Sequence, residues 1–351
     1  MTRQQREFYH DFSRHGSGAA LVEISPVEVA LLAHIAYFDI YNAHEAWFAD
    51  WAVKLIDKDF YSITQSEIFA LPEISEDEAF EFLEKAKVTD VTNYVYMYLK
   101  NLAALYRRRF KFYNILREQP FPSVEQVGLR CLLEFGNCDD ALLFSWMAWR
   151  KLIYDIDNRS AQETGYLFEP IIASCLGGES VSHHASPVKR IAANGKVKNE
   201  GRQIDCFVRE TSEVYELKIR VTIAASGQGR FAEELSFPYE ARRAGLIPVL
   251  IVFDPTPSPL LERLGNEYRR HGGRVAVGNA AWDELTARAG KEMGRFIVKY
   301  IKPPIMKMKS LFAEIPAGIS LSATNSVVEI KGDGGRSYYI ERTPRDKEVD
   351  S

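Results

Sequence analysis

Two carboxylates and a lysine lie in neighbouring apolar runs of the stretch GRQIDCFVRETSEVYELK, residues 201–218. Asp205 lies in the first run, and Glu216 and Lys218 lie in the second. Mg²⁺ prefers oxygen ligands and usually takes one or two carboxylates from the protein. A lysine beside such an ion can position a water or stabilise negative charge on a phosphate oxygen. These residue types therefore fit metal-assisted hydrolysis of a phosphodiester.

The two apolar runs predict two strands joined by a hairpin turn, because the linker 209–213 between them is polar. Residues two apart on a strand share a face, so Glu216 and Lys218 project together while Leu217 faces the core. We expect Asp205 and Glu216 to bind one Mg²⁺ ion, with the backbone carbonyl of Leu217 completing the protein ligands.

A further carboxylate precedes the hairpin. Glu169 lies near the start of an apolar helix in TGYLFEPIIASCL, residues 164–176. If the apolar residues of that helix face the sheet, Glu169 lies at the edge near the metal. We expect it to be a further ligand, either directly or through water.

The elements after about residue 160 predict a mixed α/β fold with a central sheet flanked by helices. The run 247–254 is continuously apolar, as is typical of a strand buried on both faces. A short strand over 274–277 follows. Helices are predicted near 229–244, 258–271 and 280–301.

The first 160 residues predict a mostly helical region. Ser25-Pro26-Val27-Glu28 has the pattern of a helix start, and later helices are predicted at 75–88, 90–118, 124–135 and 139–153. At the other end of the chain, GDGG in residues 332–335 marks a β-hairpin, and the last residues, PRDKEVDS, are predicted to be disordered.

Composition sets limits on the class of protein. The net charge of −4 neither supports nor excludes a nucleic-acid partner. The sequence has no run of about 18 apolar residues, so it predicts no membrane span. The polar amino-terminal stretch lacks the apolar segment of a secretory signal. Four cysteines without CxxC pairing are typical of reduced thiols in a cytoplasmic protein.

The order helix-Glu, strand-Asp, strand-Glu-x-Lys resembles the PD-(D/E)xK nuclease superfamily, with Ile204 where the pattern has proline. The resemblance implies a restriction-endonuclease-like core in which Asp205, Glu216 and Lys218 are catalytic, with Glu169 as a fourth member. Within the superfamily, ELKIRVTIAASGQGRFAEELSFP, IPVLIVFDPT and VGNAAWDELTARAGKEMGRFIVKYIKPPI, from residues 160–305, resemble the ApaLI-like type II restriction endonucleases. This narrower resemblance implies a homodimer that cuts a short palindromic site in double-stranded DNA, with a matching DNA methyltransferase that protects the host.

Three regions follow from this interpretation. Residues 1–160 form a helical region that clamps DNA, builds the dimer, or both; residues 161–305 form the nuclease core; and residues 306–351 form a β-hairpin tail with a disordered end.

DNA contacts are predicted in two places. The loop after the second strand offers Ser226, Gln228 and Arg230 to phosphates or base edges. The densest basic run in the helical region offers Arg107, Arg108, Arg109 and Lys111 to phosphates, although a solvated helix face explains it as well.

Three alternatives remain open from the sequence. The chain could be a PD-(D/E)xK nuclease of repair, recombination or RNA processing. It could be a non-catalytic DNA-binding protein that kept this fold. The chain could also be an unrelated α/β enzyme that carries a carboxylate–lysine pair without function.

Overall fold

A computed structural model describes residues 1–15, 21–134, 139–192, 194–219, 230–311, 318–332, 335 and 337–344. The helices are α1 Arg3–Ser13, α2 Pro26–Tyr41, α3 Asp50–Ile56, α4 Gln65–Phe69, α5 Glu76–Lys85, α6 Tyr94–Glu118, α7 Val124–Leu133, α8 Asp140–Cys175, α9 Arg230–Arg243, α10 Pro259–Arg270, α11 Asn279–Arg288, α12 Lys291–Phe296 and α13 Lys302–Leu311. A π-helical turn, Ile297–Ile301, joins α12 to α13.

The strands are β1 Arg14–His15, β2 Val22–Glu23, β3 Glu179–Val181, β4 Lys189–Ile191, β5 Val197–Gly201, β6 Ile204–Val208, β7 Glu213–Lys218, β8 Ile247–Val252, β9 Arg274–Val277, β10 Ser320–Ala323, β11 Val327–Lys331 and β12 Ser337–Glu341. The mixed α/β fold predicted from the sequence is confirmed.

The central sheet has five strands in the order β3-β6-β7-β8-β9. Its first three strands are antiparallel, whereas β7, β8 and β9 run parallel. The predicted hairpin is β6–β7, and Glu213 belongs to β7 instead of the turn. Strand β8 is buried on both faces, as its continuous apolar run predicts.

The two faces of the sheet belong to different cores. Tyr215 and Leu217 of β7 pack into the larger core, which also contains residues of α2, α6 and α8. Val214 faces the smaller core, beneath α9 and α10. Because side chains alternate along a strand, Glu216 and Lys218 share the face of Val214. One face of β7 is therefore fully buried, whereas the carboxyl end of its other face carries the polar side chains of Glu216 and Lys218.

Helix α8 differs most from the sequence-based expectation. Two helices, one ending near residue 153 and one starting after residue 160, were expected there, but a single helix of 36 residues runs through both. The sequence between them contains no proline or glycine to end a helix, and Pro170 lies inside the helix. The predicted boundary at residue 160 consequently falls within α8.

The carboxyl-terminal segments are an antiparallel sheet and a broken helix. The predicted hairpin is β11–β12, and β10 adds a third strand to it. Val328 and Ile340 of this sheet pack against Leu116 of α6. The helix expected at 280–301 is interrupted at Ala289 and Gly290 and resumes as α12. Residues 345–351, predicted to be disordered, lie outside the described residues.

Two bulk predictions can be compared with the fold. No helix among the described residues combines the length and the apolar character needed to cross a membrane. Cys131, Cys175 and Cys206 are free thiols, and Cys138 lies outside the described residues.

A buried carboxylate fixes the start of β7. Glu213 accepts hydrogen bonds from Arg274 of β9 at 2.6 Å and from Arg288 of α11 at 2.5 Å. Burial acts to raise the pKa of Glu213, but the hydrogen bonds from Arg274, Tyr215 and Thr211 outweigh it and hold the pKa below its usual value. Glu213 therefore joins three elements through one anion.

We predict that Glu213→Gln lowers the free energy of unfolding by about 2 kcal/mol, because it leaves two arginines without a buried anion. The matched control is Glu284→Gln, a more exposed partner of the same arginines, for which we expect a loss of about 0.5 kcal/mol. Urea denaturation measures both. A carboxyl group whose pKa is lowered in the folded state stabilises that state only at a pH above its ordinary pKa of 4.5. The destabilisation caused by Glu213→Gln should therefore shrink as the pH falls below 4.5. Equal losses in the two variants would contradict the account.

Candidate active site

The site forms where β6 and β7 separate. Their last paired residues are Cys206 and Tyr215, which places Asp205 opposite Glu216, one step beyond the ladder. There the Oδ2 atom of Asp205 accepts a hydrogen bond of 2.8 Å from the backbone N–H of Leu217. The carboxylate takes the donor that a continuing strand would have used. Asp205, Glu216 and the backbone of Leu217 are thereby gathered at one point.

Lys218 lies between two carboxylates. Its Nζ atom is 3.2 Å from Oε1 of Glu216 and 3.2 Å from Oε1 of Glu234 on α9. Burial acts to lower the pKa of Lys218, but these two carboxylates outweigh it and hold the pKa above its ordinary value. Lys218 is therefore an ammonium ion that can donate hydrogen bonds but cannot accept a proton.

Helix α8 brings Glu169 to the same place. Burial, and then the charge of Glu216, raise the pKa of the half-buried Glu169 carboxyl. A methyl group at Gly165, one turn earlier, would come within 3.1 Å of Oε1 of Glu169. Gly165 thus leaves room for this carboxylate, and the structure brings together all four residues predicted to be catalytic.

The negative charge of the site is incompletely balanced. Burial, followed by the charges of Glu216 and Glu169, holds the pKa of Asp205 well above its usual value. Oε2 of Glu234 is buried and has no hydrogen-bond partner within the described parts of the chain. A cation beside Asp205 and Glu216 would relieve this repulsion, so the residues present fit a metal ion.

The ligand geometry suits an ion that keeps part of its water shell. Within the described ranges, no three His, Cys, Asp or Glu side chains converge on one position where they could hold a metal. Two carboxylates and one backbone carbonyl, that of Leu217, are the available protein ligands. This is the share that Mg²⁺ typically takes, since it retains several waters.

A cavity of about 320 Å³ opens beside these carboxylates. The sequence did not single out three residues in or beside it. Glu234 lies next to Glu233 in a polar helix, and no pattern distinguishes the two glutamates before the fold is known. Arg190 and Arg202 enter from β4 and from the link between β5 and β6. In the sequence, the only signal for these two arginines was the position of Arg202 just before Asp205.

The basic run on α6 is placed differently from the prediction. Arg107 is buried and donates hydrogen bonds to the backbone carbonyls of Phe12, at 3.0 Å, and Arg14, at 2.7 Å. Lys111 is also buried. This burial is inconsistent with the predicted phosphate contacts of Arg107 and Lys111. Periodicity along the helix could not reveal that α1 covers this face.

The other predicted DNA contacts remain predictions. Arg108 is partly buried and donates to Oγ of Ser160 at 3.1 Å. The backbone of Arg109 lies in α6, and its side chain is outside the description. Ser226 and Gln228 lie outside the described residues, and Arg230 is the first residue of α9.

A mixed sheet that gathers carboxylates and a lysine at diverging strand ends is the arrangement expected of a metal-dependent nuclease. The model of one family, the ApaLI-like restriction endonucleases, matches residues 61–302. The chain therefore belongs to the ApaLI-like restriction endonuclease family, and the resemblance inferred from sequence is confirmed. The match begins well before residue 160, so it includes much of the helical region.

One curated relative is the type II restriction enzyme ApaLI of Acetobacter pasteurianus, which is 48% identical to this chain over 217 residues. The aligned part covers 61% of this chain and 57% of that enzyme, so the chain spans little more than half of its relative's length. No solved structure matches the chain at a significant level.

We predict that Asp205→Asn raises the melting temperature of the metal-free protein at pH 8. The variant keeps an oxygen that can accept from Leu217 but removes a charge that the fold disfavours. Each kcal/mol of stabilisation should raise the Tm by roughly 2 °C in a chain of this size. A raised carboxyl pKa favours the folded state at low pH, so the gain should shrink as the pH falls towards 3.8.

Thermal unfolding in EDTA measures this effect, and the exposed Asp283, changed to Asn, is the control that should leave the Tm unchanged. A lower Tm for Asp205→Asn than for the parent would contradict the repulsion inferred at this site.

Proposed function

We propose that this protein is a Mg²⁺-dependent type II restriction endonuclease. It hydrolyses phosphodiester bonds in double-stranded DNA at a short palindromic site. One observation carries the proposal: Asp205 and Glu216 meet at the end of the β6–β7 ladder with the Leu217 backbone between them and Lys218 alongside. Family membership supports the same chemistry.

Each residue has a role in this proposal. Asp205, Glu216 and the carbonyl of Leu217 hold Mg²⁺, and Glu169 acts as a further ligand through water. The bound ion supplies charge neutralisation at the scissile phosphate and lowers the pKa of water. Lys218 donates a hydrogen bond that orients the attacking water or stabilises a phosphate oxygen. Glu234 also accepts a hydrogen bond from the Lys218 ammonium and helps to hold it in place.

We predict that the parent cuts long unmethylated DNA into discrete fragments in Mg²⁺ and not in EDTA. Asp205→Ala and Lys218→Ala should each reduce the cleavage rate by about 100-fold or more, since the first removes a proposed metal ligand and the second a hydrogen-bond donor to the reacting groups. Gel electrophoresis of one DNA of known sequence measures all of these, and Asp283→Ala is the control with parental activity.

The outcomes separate the alternatives. A smear in place of bands would favour a nuclease of repair or recombination, and cleavage of RNA alone would favour RNA processing. DNA binding that is insensitive to Asp205→Ala, without cleavage by the parent in any divalent metal, would favour a non-catalytic DNA-binding protein. Loss of cleavage after methylation of the recognition site would support a paired methyltransferase.

A palindromic target is most simply matched by a two-fold dimer. The support for a homodimer lies on α8, whose Leu142, Trp146, Trp149 and Ile153 follow one another at spacings of four, three and four. Leu142 is 59% exposed and Trp146 is 55% exposed. Such spacing places the four side chains on one face of the helix, where a second helix can pack.

We call the side chains of Leu142, Trp146, Trp149 and Ile153 the apolar stripe. Their spacings are the same in both directions along the helix. In an antiparallel pair with its two-fold axis midway between Trp146 and Trp149, Leu142 of one copy faces Ile153 of the other, and Trp146 faces Trp149. Of 23 exposed large apolar side chains in the described part of the chain, eight lie between residues 124 and 154. The helical region therefore offers an isologous dimer interface of suitable composition.

We predict that Trp146→Glu converts the dimer into a monomer or weakens it by about 100-fold or more, because a charge would enter the centre of the stripe. Analytical ultracentrifugation measures the oligomeric state. Phe69→Glu, at an apolar side chain that is 78% exposed outside the stripe, is the control that should remain dimeric. A dimer of unchanged affinity in Trp146→Glu would place the interface elsewhere.

A further inference from the structure

The densest positive charge close to the active site lies on a two-stranded ribbon that none of the roles above uses. Strands β4 and β5 pair antiparallel immediately before β6. Residues 189–203 contain five basic side chains and one acidic one, although the whole chain carries a net charge of −4. The basic residues are Lys189, Arg190, Lys196, Lys198 and Arg202.

The base of the ribbon is fixed to the nuclease core. Arg202 donates to Oε2 of the buried Glu240 on α9 at 2.5 Å and to the backbone carbonyl of Glu233 at 3.1 Å. The other carboxylate oxygen of Glu240 accepts from the backbone N–H of Ile191 at 2.8 Å. One carboxylate therefore holds both the first strand of the ribbon and the link to β6.

The ribbon leads into the active-site cavity. Arg190 lines the same cavity as Asp205 and Glu216, and it pairs with Glu200 of β5 at 3.0 Å. Lys198 lies two residues from Glu200 on the same strand, in the stretch where the β4–β5 register shifts. Basic side chains thus extend from the active-site cavity, at Arg190, to the exposed end of the ribbon, at Lys196 and Lys198.

The outer part of the ribbon projects into solvent. Every residue from 194 to 200 is exposed, and Lys196 and Lys198 form no ion pair with any residue that the structure describes. Arg190, in contrast, is matched by Glu200 and Glu233. Lys196 and Lys198 are therefore exposed charges that a partner can reach, whereas the arginines hold the ribbon in position.

We propose that the β4–β5 ribbon grips the phosphate backbone of duplex DNA beside the cleaved bond, with Lys196 and Lys198 contacting phosphates. A two-stranded ribbon fits the major groove, which is about 12 Å wide. The inference rests on the proposed function, because it is the approach of DNA to Asp205 and Glu216 that brings its backbone past the ribbon. It assigns a DNA contact outside both regions predicted from the sequence.

The test is the binding of a fluorescein-labelled 30-base-pair duplex of random sequence, followed by anisotropy in EDTA from 50 to 300 mM NaCl. Each lost phosphate contact reduces the slope of log K against log salt by about 0.9. We expect Lys196→Ala/Lys198→Ala to reduce the slope by about 1.8 for each protomer that contacts the duplex and the affinity at 150 mM NaCl by about 10-fold or more. Lys196→Arg/Lys198→Arg should bind like the parent.

The matched control, Lys54→Ala/Lys331→Ala, removes two exposed lysines from α3 and β11 and should change the slope little. Circular dichroism and the Tm should be parental for all variants, since the changed side chains are exposed. A slope for Lys196→Ala/Lys198→Ala equal to that of this control would overturn the ribbon contact.

This outcome is distinguishable from failure of the nuclease proposal. A parent that cuts DNA while the ribbon variant binds normally would overturn the ribbon contact alone. A parent that never cuts DNA, but whose binding depends on Lys196 and Lys198, would overturn the nuclease and support the ribbon. A parent that does not bind the duplex at all would overturn both.

Discussion

The hydrogen bond from the Leu217 N–H to Asp205 is the interaction on which the site depends. Two paired strands normally satisfy each other's backbone groups, which leaves no room for a polar side chain between them. Here the β6–β7 ladder stops after Cys206 and Tyr215, and a carboxylate replaces the missing carbonyl. The Asp205 carboxylate that takes this position also brings a negative charge next to Glu216. Burial and this neighbouring charge raise the pKa of Asp205.

The remaining elements hold that junction in place. Glu213 fixes the start of β7 through Arg274 and Arg288, while the apolar face of the strand is sealed by the larger core. Helix α8 contributes Glu169 to the site and, further towards its amino end, carries the apolar stripe proposed to form the dimer. One continuous helix would thus connect the proposed catalytic carboxylates to the proposed subunit interface.

The sequence predicted the local parts of this arrangement better than the distant ones. Period-two alternation was sufficient to place Glu216 and Lys218 on one face, and the polar linker was sufficient to pair their strand with that of Asp205. Glu234 was not predictable, because its contact with Lys218 depends on how α9 packs. Arg107 was misassigned for the same reason: a basic residue on a helix has no sequence signal for the neighbour that covers it. The continuity of α8 was missed although the sequence between residues 153 and 164 contains no proline or glycine that would end a helix.

A metal site built from Asp205 and Glu216 is tested most directly by a Mn²⁺ titration followed by electron paramagnetic resonance. Mn²⁺ takes the place of Mg²⁺, and the measurement does not depend on DNA cleavage. We predict that the parent binds Mn²⁺ and that Asp205→Asn and Glu216→Gln lose the same site, while Asp283→Asn keeps it. Equal stoichiometry and affinity in the parent and both site variants would contradict a metal site built from Asp205 and Glu216.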